Sequence, residues 1–329
     1  MSDWSHPHPH LHVDEWFETH TFGPSPLSLE ELIALKEQRG LTISVCLPAL
    51  DEAETVGAIC RLLRESLMEA APFVDEVVVV DSGSTDATVD RARDGGAAVY
   101  RATDLVPSAG PRVLGKGDAL WRSLSVVTGD LIVWLDSDTR NPHPGFVTDL
   151  ITPLLRDESL VLTKAFYDRP LAETNGFLTT GGARVTEIAA RPLLHLFYPE
   201  LTGVIQPLSG EYAGYRVVLE ELPFFTGYGV DIGLLIDFAE RFGVDRIGQV
   251  DLGRRVHRNR PTLDLGRMAF QVMLAMFTRL DELGRLKLTD ETPTRLTQFA
   301  PSDAGPARTE YELSVVQRPP MKTVAGRGS

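Results

Sequence analysis

Cysteine is nearly absent from this chain: Cys46 and Cys60 are the two present in 329 residues. They fall in a predicted strand and a predicted helix with no metal-ligand spacing, so buried free thiols in a reducing, cytoplasmic setting are expected. Long apolar runs are missing as well. None approaches the ~18–20 residues that a membrane span needs, and the polar, His- and Pro-rich N-terminus lacks the build of a signal peptide. Positive charge is in deficit, with 32 Lys and Arg against 46 Asp and Glu and a formal net charge of -14. A chain without a global basic field is not a general nucleic-acid binder. A small anionic substrate is still allowed, because it needs only a local basic pocket.

Several catalytic signatures are absent too: G-x-S-x-G, G-x-G-x-x-G and H-E-x-x-H do not occur. Gly110-Pro-Arg-Val-Leu-Gly115-Lys116-Gly117 comes near the phosphate loop G-x-x-x-x-G-K-[ST]. It ends in Gly117, so the hydroxyl that would hold Mg2+ is lacking, and no obvious strand runs into it. An ATPase is therefore set aside, while Lys116 is left as a group able to touch a phosphate or a carboxylate.

What the chain does have is Leu131-Ile-Val-Trp-Leu-Asp-Ser-Asp-Thr139. Five apolar residues in a row, opened by Gly129-Asp130, predict a strand buried on both faces. Asp136 and Asp138 then sit at its C-terminal end, the edge where open α/β sheets bind ligands. Two carboxylates that close repel one another unless a positive group lies between them, which favours a hard divalent cation. A capped turn would leave the same trace, since D-x-D is a short pattern.

Around this strand the pattern alternates. Thr42–Pro48 and Asp75–Asp81 read as parallel strands and Ala97–Arg101 as a short third one. Helices are expected at Leu29–Arg39, with Ser28 and Glu31 as a capping box, at about Glu54–Met68, at Ala87–Asp94, and from Gly115-Lys-Gly-Asp118 onward. Alternation over residues 42–138 implies a mainly parallel sheet with right-handed crossovers and helices on both faces. The expected organisation is a disordered tail over 1–26, where His6, His8, His10 and His12 stand among prolines, a nucleotide-binding half over 27–140, an acceptor-binding half over 141–290, and a loose extension over 291–329.

The second half carries three polar constellations. Gly181-Gly-Ala-Arg184 before a helix offers backbone N–H groups and a guanidinium to an anion. Asp231 opens a helix running to about Phe242, as a cap or as an acceptor for sugar hydroxyls. Gly253-Arg-Arg-Val-His-Arg-Asn-Arg260 reverses the sign of the chain locally and suits phosphate-bearing ligands. His257 in it could give a nitrogen ligand to a cation on Asp138.

Pro48-Ala-Leu-Asp-Glu52, Asp81-Ser-Gly-Ser-Thr-Asp86, Gly115-Lys-Gly-Asp-Ala-Leu-Trp121 and Asp136-Ser-Asp138 resemble GT-A-fold glycosyltransferases that use nucleotide-diphosphate sugars. Gly181–Glu187, Gln206-Pro-Leu-Ser-Gly-Glu-Tyr212, Gly227-Tyr-Gly-Val-Asp-Ile-Gly233 and Arg255-Val-His-Arg-Asn-Arg-Pro261 narrow the resemblance to the glucosyl-3-phosphoglycerate synthase family of mycobacteria and related actinobacteria.

The resemblance implies a homodimeric enzyme that moves glucose from UDP-glucose to 3-phosphoglycerate with retention, using Mg2+ or Mn2+, as the first step toward methylglucose lipopolysaccharide. By it, Pro48, Ala49, Leu50, Glu52, Ser82 and Lys116 line the uridine and diphosphate site. Asp136, Ser137 and Asp138 hold ribose, diphosphate and metal, and His257 joins Asp138 on the metal. Leu208, Tyr228 and Asp231 face the glucose, and Arg255 lies near the diphosphate. Ala183, Arg184, Thr186 and Asn259 form the acceptor site, with Asp231, Lys116 and Arg184 as the catalytic set. The family more often has Glu at Asp231, Asn at Asp51 and Gly at Ala183. A polyprenol-phosphate acceptor, a mannosyl donor and a non-catalytic nucleotide-sugar sensor remain as other readings.

Overall fold

The structure is a computed structural model and describes residues 9–168, 170–172, 178–180, 183–256, 261–290, 292–303 and 305–324. The chain enters through helix α1 (Pro9–His20) and strand β1 (Thr21–Phe22), followed by α2 (Leu29–Arg39) and β2 (Ile43–Ala49). A first crossover passes through α3 (Val56–Arg64) to β3 (Glu76–Asp81), and a second through α4 (Thr88–Asp94) to β4 (Ala98–Arg101). Helix α5 (Lys116–Ser123) then leads back to β5 (Leu131–Trp134). After α6 (Gly145–Arg156) come β6 (Leu162–Asp168), the hairpin β7 (Pro170–Ala172) and β8 (Leu178–Thr180), α7 (Arg191–Phe197), β9 (Tyr212–Tyr215), α8 (Arg216–Leu219) and β10 (Phe224–Phe225). Helix α9 (Val230–Phe242), β11 (Ile247–Arg254), α10 (Thr262–Glu282) and strands β12 (Arg295–Ser302), β13 (Gly305–Glu312) and β14 (Gln317–Arg318) complete it.

Among the described residues one eight-stranded sheet runs through the molecule in the order β1-β11-β6-β9-β5-β2-β3-β4. Every pairing in it is parallel except those of β9, which lies antiparallel between β5 and β6. Apart from its mostly exposed edge strand β4, the sheet is buried on both faces. Val45, Leu47, Val77, Val79 and Val133 pack into one hydrophobic cluster, while Cys46, Val78, Val80, Ile132 and Trp134 pack into the other. Uninterrupted apolar runs such as Val77–Val80 follow from this, since both side-chain directions point into dry layers. Each fully buried valine contributes about 1.5–3 kcal/mol. Cys46 and Cys60 are buried free thiols, and burial pushes both up to about 12.

The expected capping box is present: the Ser28 hydroxyl accepts the Glu31 N–H at 3.3 Å and Glu31 accepts the Ser28 N–H at 2.8 Å. Two expectations about the chain ends are corrected. From Pro9 the tail is helical, because Trp16 is buried and its indole donates to the Val244 and Ile247 carbonyls at 3.0 and 3.2 Å. Trp16, with His20 bonded to the Asp245 carbonyl at 2.9 Å, ties this helix to the segment that leads into β11. The C-terminal extension holds the β12–β13 hairpin and then β14, which pairs antiparallel with β10. Strand β9 was hidden from sequence reasoning by the polar turn before it, and the centre of the sheet is where it lies.

Candidate active site

The chain leaves β2 toward β3 and β4 on one side of the sheet and returns to β5 on the other, with β2 and β5 adjacent. Their C-terminal ends therefore open a crevice at the point where strand order reverses, the position at which such sheets bind ligands. Pro48, Ala49 and Leu50 leave β2 there, and Leu135 to Asp138 leave β5. The Ser137 hydroxyl donates to the Pro48 carbonyl at 2.8 Å and Thr55 donates to the Ser137 carbonyl at 2.5 Å, joining the two loops.

The rest of the rim is made of turns. Asp51 takes a left-handed backbone, φ 55°. Its N–H donates to Ser84 Oγ at 2.9 Å and its carboxylate accepts the Thr85 N–H at 2.8 Å. Asp and Asn both adopt this conformation, because a short polar side chain can bond locally, which accounts for either residue standing here. The Glu52 N–H donates to Thr88 Oγ1 at 2.8 Å, and the Ser82 N–H to the Ala49 carbonyl at 2.9 Å. Leu50 is half exposed at the mouth of the crevice.

At its floor, charges interlock. Lys116, the first residue of α5, places Nζ 2.8 Å from Asp136 Oδ1 and 3.7 Å from Asp231 Oδ2. Burial works against its charge, but the Asp136 and Asp231 carboxylates outweigh it and hold the ammonium well above the ordinary lysine value. Asp231 lies in the first turn of α9, where the helix dipole favours a carboxylate. The backbone of Gly210 comes close over this pair: a Cβ there would meet Lys116 Nζ at 2.1 Å and the Asp136 carboxylate at 2.6 Å. Tyr228 is set by its N–H donating to Gln271 Oε1 of α10 at 3.1 Å, and Leu208 packs at the edge of the core.

Arg255, assigned to the diphosphate by resemblance, lies among carboxylates. It is 2 % exposed. Its Nη2 is 2.7 Å from Asp138 Oδ1 and 3.3 Å from Asp136 Oδ2, and its Nε is 2.9 Å from Glu211 Oε1. Burial opposes its charge and Glu211 leads the groups that restore it. Tyr167 completes the set, donating its hydroxyl to Glu211 Oε2 at 2.6 Å. Asp136 and Asp138 keep 24 % of their side chains exposed. Hard carboxylate oxygens at a partly open rim fit Mg2+ or Mn2+, which take most of their other ligands from phosphate and water. Among the described residues no three His, Cys, Asp or Glu gather as a metal cluster. His257 and Asn259 lie outside the described residues.

On the acceptor side Ala183 has φ 66°, a left-handed backbone that glycine adopts without strain. Arg184 Nη1 donates to Thr262 Oγ1 at 3.5 Å, at the start of α10, and Thr186 is buried. Three residues escaped the sequence reading as individuals. Glu211 and Gly210 stand inside a quoted motif without a role. Lys164 was legible as a lysine within an apolar strand. It is 3 % exposed, donates to the Ser209 carbonyl at 2.7 Å and lies 4.9 Å over the Tyr212 ring. Burial pushes it down to about 8, against the pull of Asp231.

At the end of β5 the crevice thus joins an aspartate pair, a charged lysine and a covering glycine backbone. Residues 44–221 match glycosyl transferase family 2, and the chain belongs to that family. Within it, the chain is 46 % identical over 297 residues to the glucosyl-3-phosphoglycerate synthase of Petrotoga mobilis, spanning 90 % of this chain and 91 % of the relative. It is similar to the Mycobacterium tuberculosis glucosyl-3-phosphoglycerate synthase solved with Mn2+, UDP-glucose and phosphoglyceric acid. That match has a TM-score of 0.80 and 45 % identity over 92 % of this chain and 97 % of that one. Mannosyl-3-phosphoglycerate synthase from Rubrobacter xylanophilus matches with a TM-score of 0.87 and 38 % identity, over 94 % and 99 %.

Proposed function

We propose that this enzyme transfers glucose from UDP-glucose to 3-phosphoglycerate with retention at the anomeric carbon, using Mg2+ or Mn2+. The observation that carries the proposal is the Lys116–Asp136–Asp231 ion triad under the Gly210 backbone, at the end of β5. The relatives' printed names supply the substrates. Residues 27–140 form the donor half and 141–290 the acceptor half, each contributing strands to the one sheet. We further assign the enzyme to the cytoplasm, to a homodimer, and to the route toward methylglucose lipopolysaccharide; among the described residues no helix is long and apolar enough to cross a membrane.

In this reading Pro48, Ala49, Leu50, Glu52 and Ser82 receive the nucleoside. Asp136 and Ser137 hold ribose and diphosphate. Asp138 and His257 hold the cation, which when bound stabilises negative charge on the diphosphate as a Lewis acid. Cleaving the anomeric C–O bond leaves that charge on UDP. Lys116 meets it, held in its charged form at the spot where the charge develops. Leu208, Tyr228 and Asp231 orient the glucose, with Asp231 accepting from sugar hydroxyls. Arg184, Thr186 and Asn259 bind the acceptor beside Ala183 and aim its hydroxyl against the mutual repulsion of two anions. We take the same-face route, in which a donor phosphate oxygen receives the acceptor proton. Trapping a covalent glucosyl-enzyme would overturn it.

Structural likeness to a mannosyl-3-phosphoglycerate synthase makes donor choice a specific second reading. The test is a matrix of UDP-glucose and GDP-mannose against 3-phosphoglycerate, glycerate and a polyprenyl phosphate. Release of UDP that depends on 3-phosphoglycerate is expected. Turnover only with GDP-mannose, or only with the lipid phosphate, refutes the proposal, and nucleotide binding with no turnover favours a sensor.

A further inference from the structure

The last described stretch of the chain returns to the donor side of the active site, although it lies outside the span that matches the family. Strand β14 pairs with β10, and the pairing continues past it: the Thr226 N–H donates to the Val316 carbonyl at 2.8 Å and the Val316 N–H to Thr226 Oγ1 at 2.9 Å. Thr226 immediately precedes the Gly227–Asp231 segment. Two residues on from Val316, Arg318 forks onto Asp118 of α5, Nε to Oδ1 at 2.8 Å and Nη2 to Oδ2 at 3.1 Å. Asp118 is fully buried and also accepts the Leu114 N–H at 2.9 Å. The Leu114 carbonyl in turn accepts the Gly227 N–H at 2.8 Å.

These bonds close a ring. It runs from Val316 through Thr226 and Gly227 to Leu114, from Leu114 to Asp118, and from Asp118 back to Arg318. Gly115 and Lys116 follow Leu114 directly, and Tyr228 follows Gly227. We infer that residues 315–320 form a strap that sets the diphosphate lysine and the sugar-facing loop in one geometry, with Arg318 as the positioning residue acting through Asp118. Trp121, on the same helix as Lys116, donates its indole N–H to the Pro319 carbonyl at 2.7 Å and gives the strap a second hold. A planar fork onto one carboxylate fixes direction as well as distance, and a lysine at 318 keeps the charge but loses the second bond.

The inference rests on the proposed donor site, and the test separates the two. UDP-glucose affinity is measured by calorimetry with Mn2+ present, and KM for donor and acceptor is measured separately, on the full chain and on Arg318→Ala, Arg318→Lys and Trp121→Phe. Displacing Lys116 by a fraction of its reach costs about tenfold to a hundredfold in turnover. Arg318→Ala is expected to lose at least about tenfold in kcat and donor affinity together, with the 3-phosphoglycerate KM unmoved. Arg318→Lys and Trp121→Phe fall between it and the full chain. Donor and acceptor KM rising in step, or unchanged donor affinity in a folded Arg318 variant, overturns the strap. If Arg318→Ala does not fold, wild-type donor affinity in Arg318→Lys is the overturning result. Failure of the unaltered chain to bind UDP-glucose instead overturns the donor site on which the strap rests.

Discussion

Lys116 is the side chain on which the site turns. It is drawn toward Asp136 and Asp231 at once, so removing it takes away the positive charge shared by two carboxylates. Loss of a group that meets developing charge costs about a hundredfold to a thousandfold in kcat. Lys116→Met is expected to lose that much, read in steady-state rates, while its circular dichroism stays that of the unaltered protein. Asp138 differs, since Arg255 already neutralises one of its oxygens. Under the proposed assignment its removal acts on the cation. Asp138→Ala and His257→Ala are each expected to abolish metal-dependent turnover; full activity of either variant in chelator would refute the metal assignment.

Elements hold these side chains through a few close approaches. The turn before β9 brings Gly210 within van der Waals reach of Lys116 and Asp136. A methyl group there must push the lysine tip or the carboxylate aside, so Gly210→Ala is expected to lower kcat strongly with a melting temperature near that of the parent. Wild-type kcat in that variant would show that the close approach is incidental. Helices α9 and α10 are joined by Asp237, whose oxygens lie 2.5 and 2.6 Å from Arg279 Nε and Nη2, with that guanidinium 4.6 Å over the Phe225 ring. Glu282 also pairs with Arg279 Nη1, so removing Asp237 takes away the charged hydrogen bonds of one partner, about 1.5–3 kcal/mol, without leaving the guanidinium alone. Asp237→Ala should lose about that much in urea unfolding; a loss below about 1 kcal/mol would mean the pair is solvated in solution.

Across the described residues one eight-stranded sheet runs through the fold, and a buried charge on it gives stability a pH dependence. Lys164 has a folded value of about 8 against an ordinary 10.5. Between those two pH values the unfolded chain holds the proton and the folded chain releases it. Unfolding then takes up protons, and stability from this group rises with pH. Below about 8 both states are protonated and the full burden of burying the charge applies. Denaturant titrations from pH 7 to 10 are expected to show Lys164→Met lacking the rise that the parent has. Equal slopes would remove Lys164 from the account.

Local chemistry is what the residue order settled unaided. Ser28 and Glu31 cap α2, the valine run makes β3, and Asp136 and Asp138 end β5, because each of these depends on neighbours within a turn or on periodicity along one strand. The further site assignments rest on the resemblance of short motifs, which local chemistry alone does not supply. Tertiary structure alone decided the rest. Strand β9 runs antiparallel in the middle of the sheet, Arg255 is drawn in among Asp136, Asp138 and Glu211, Trp16 anchors the N-terminal helix, and Arg318 reaches Asp118 across 200 residues. Each of these depends on partners far apart in the chain, and burial and charge neutralisation are properties of what surrounds a group, which linear spacing does not record.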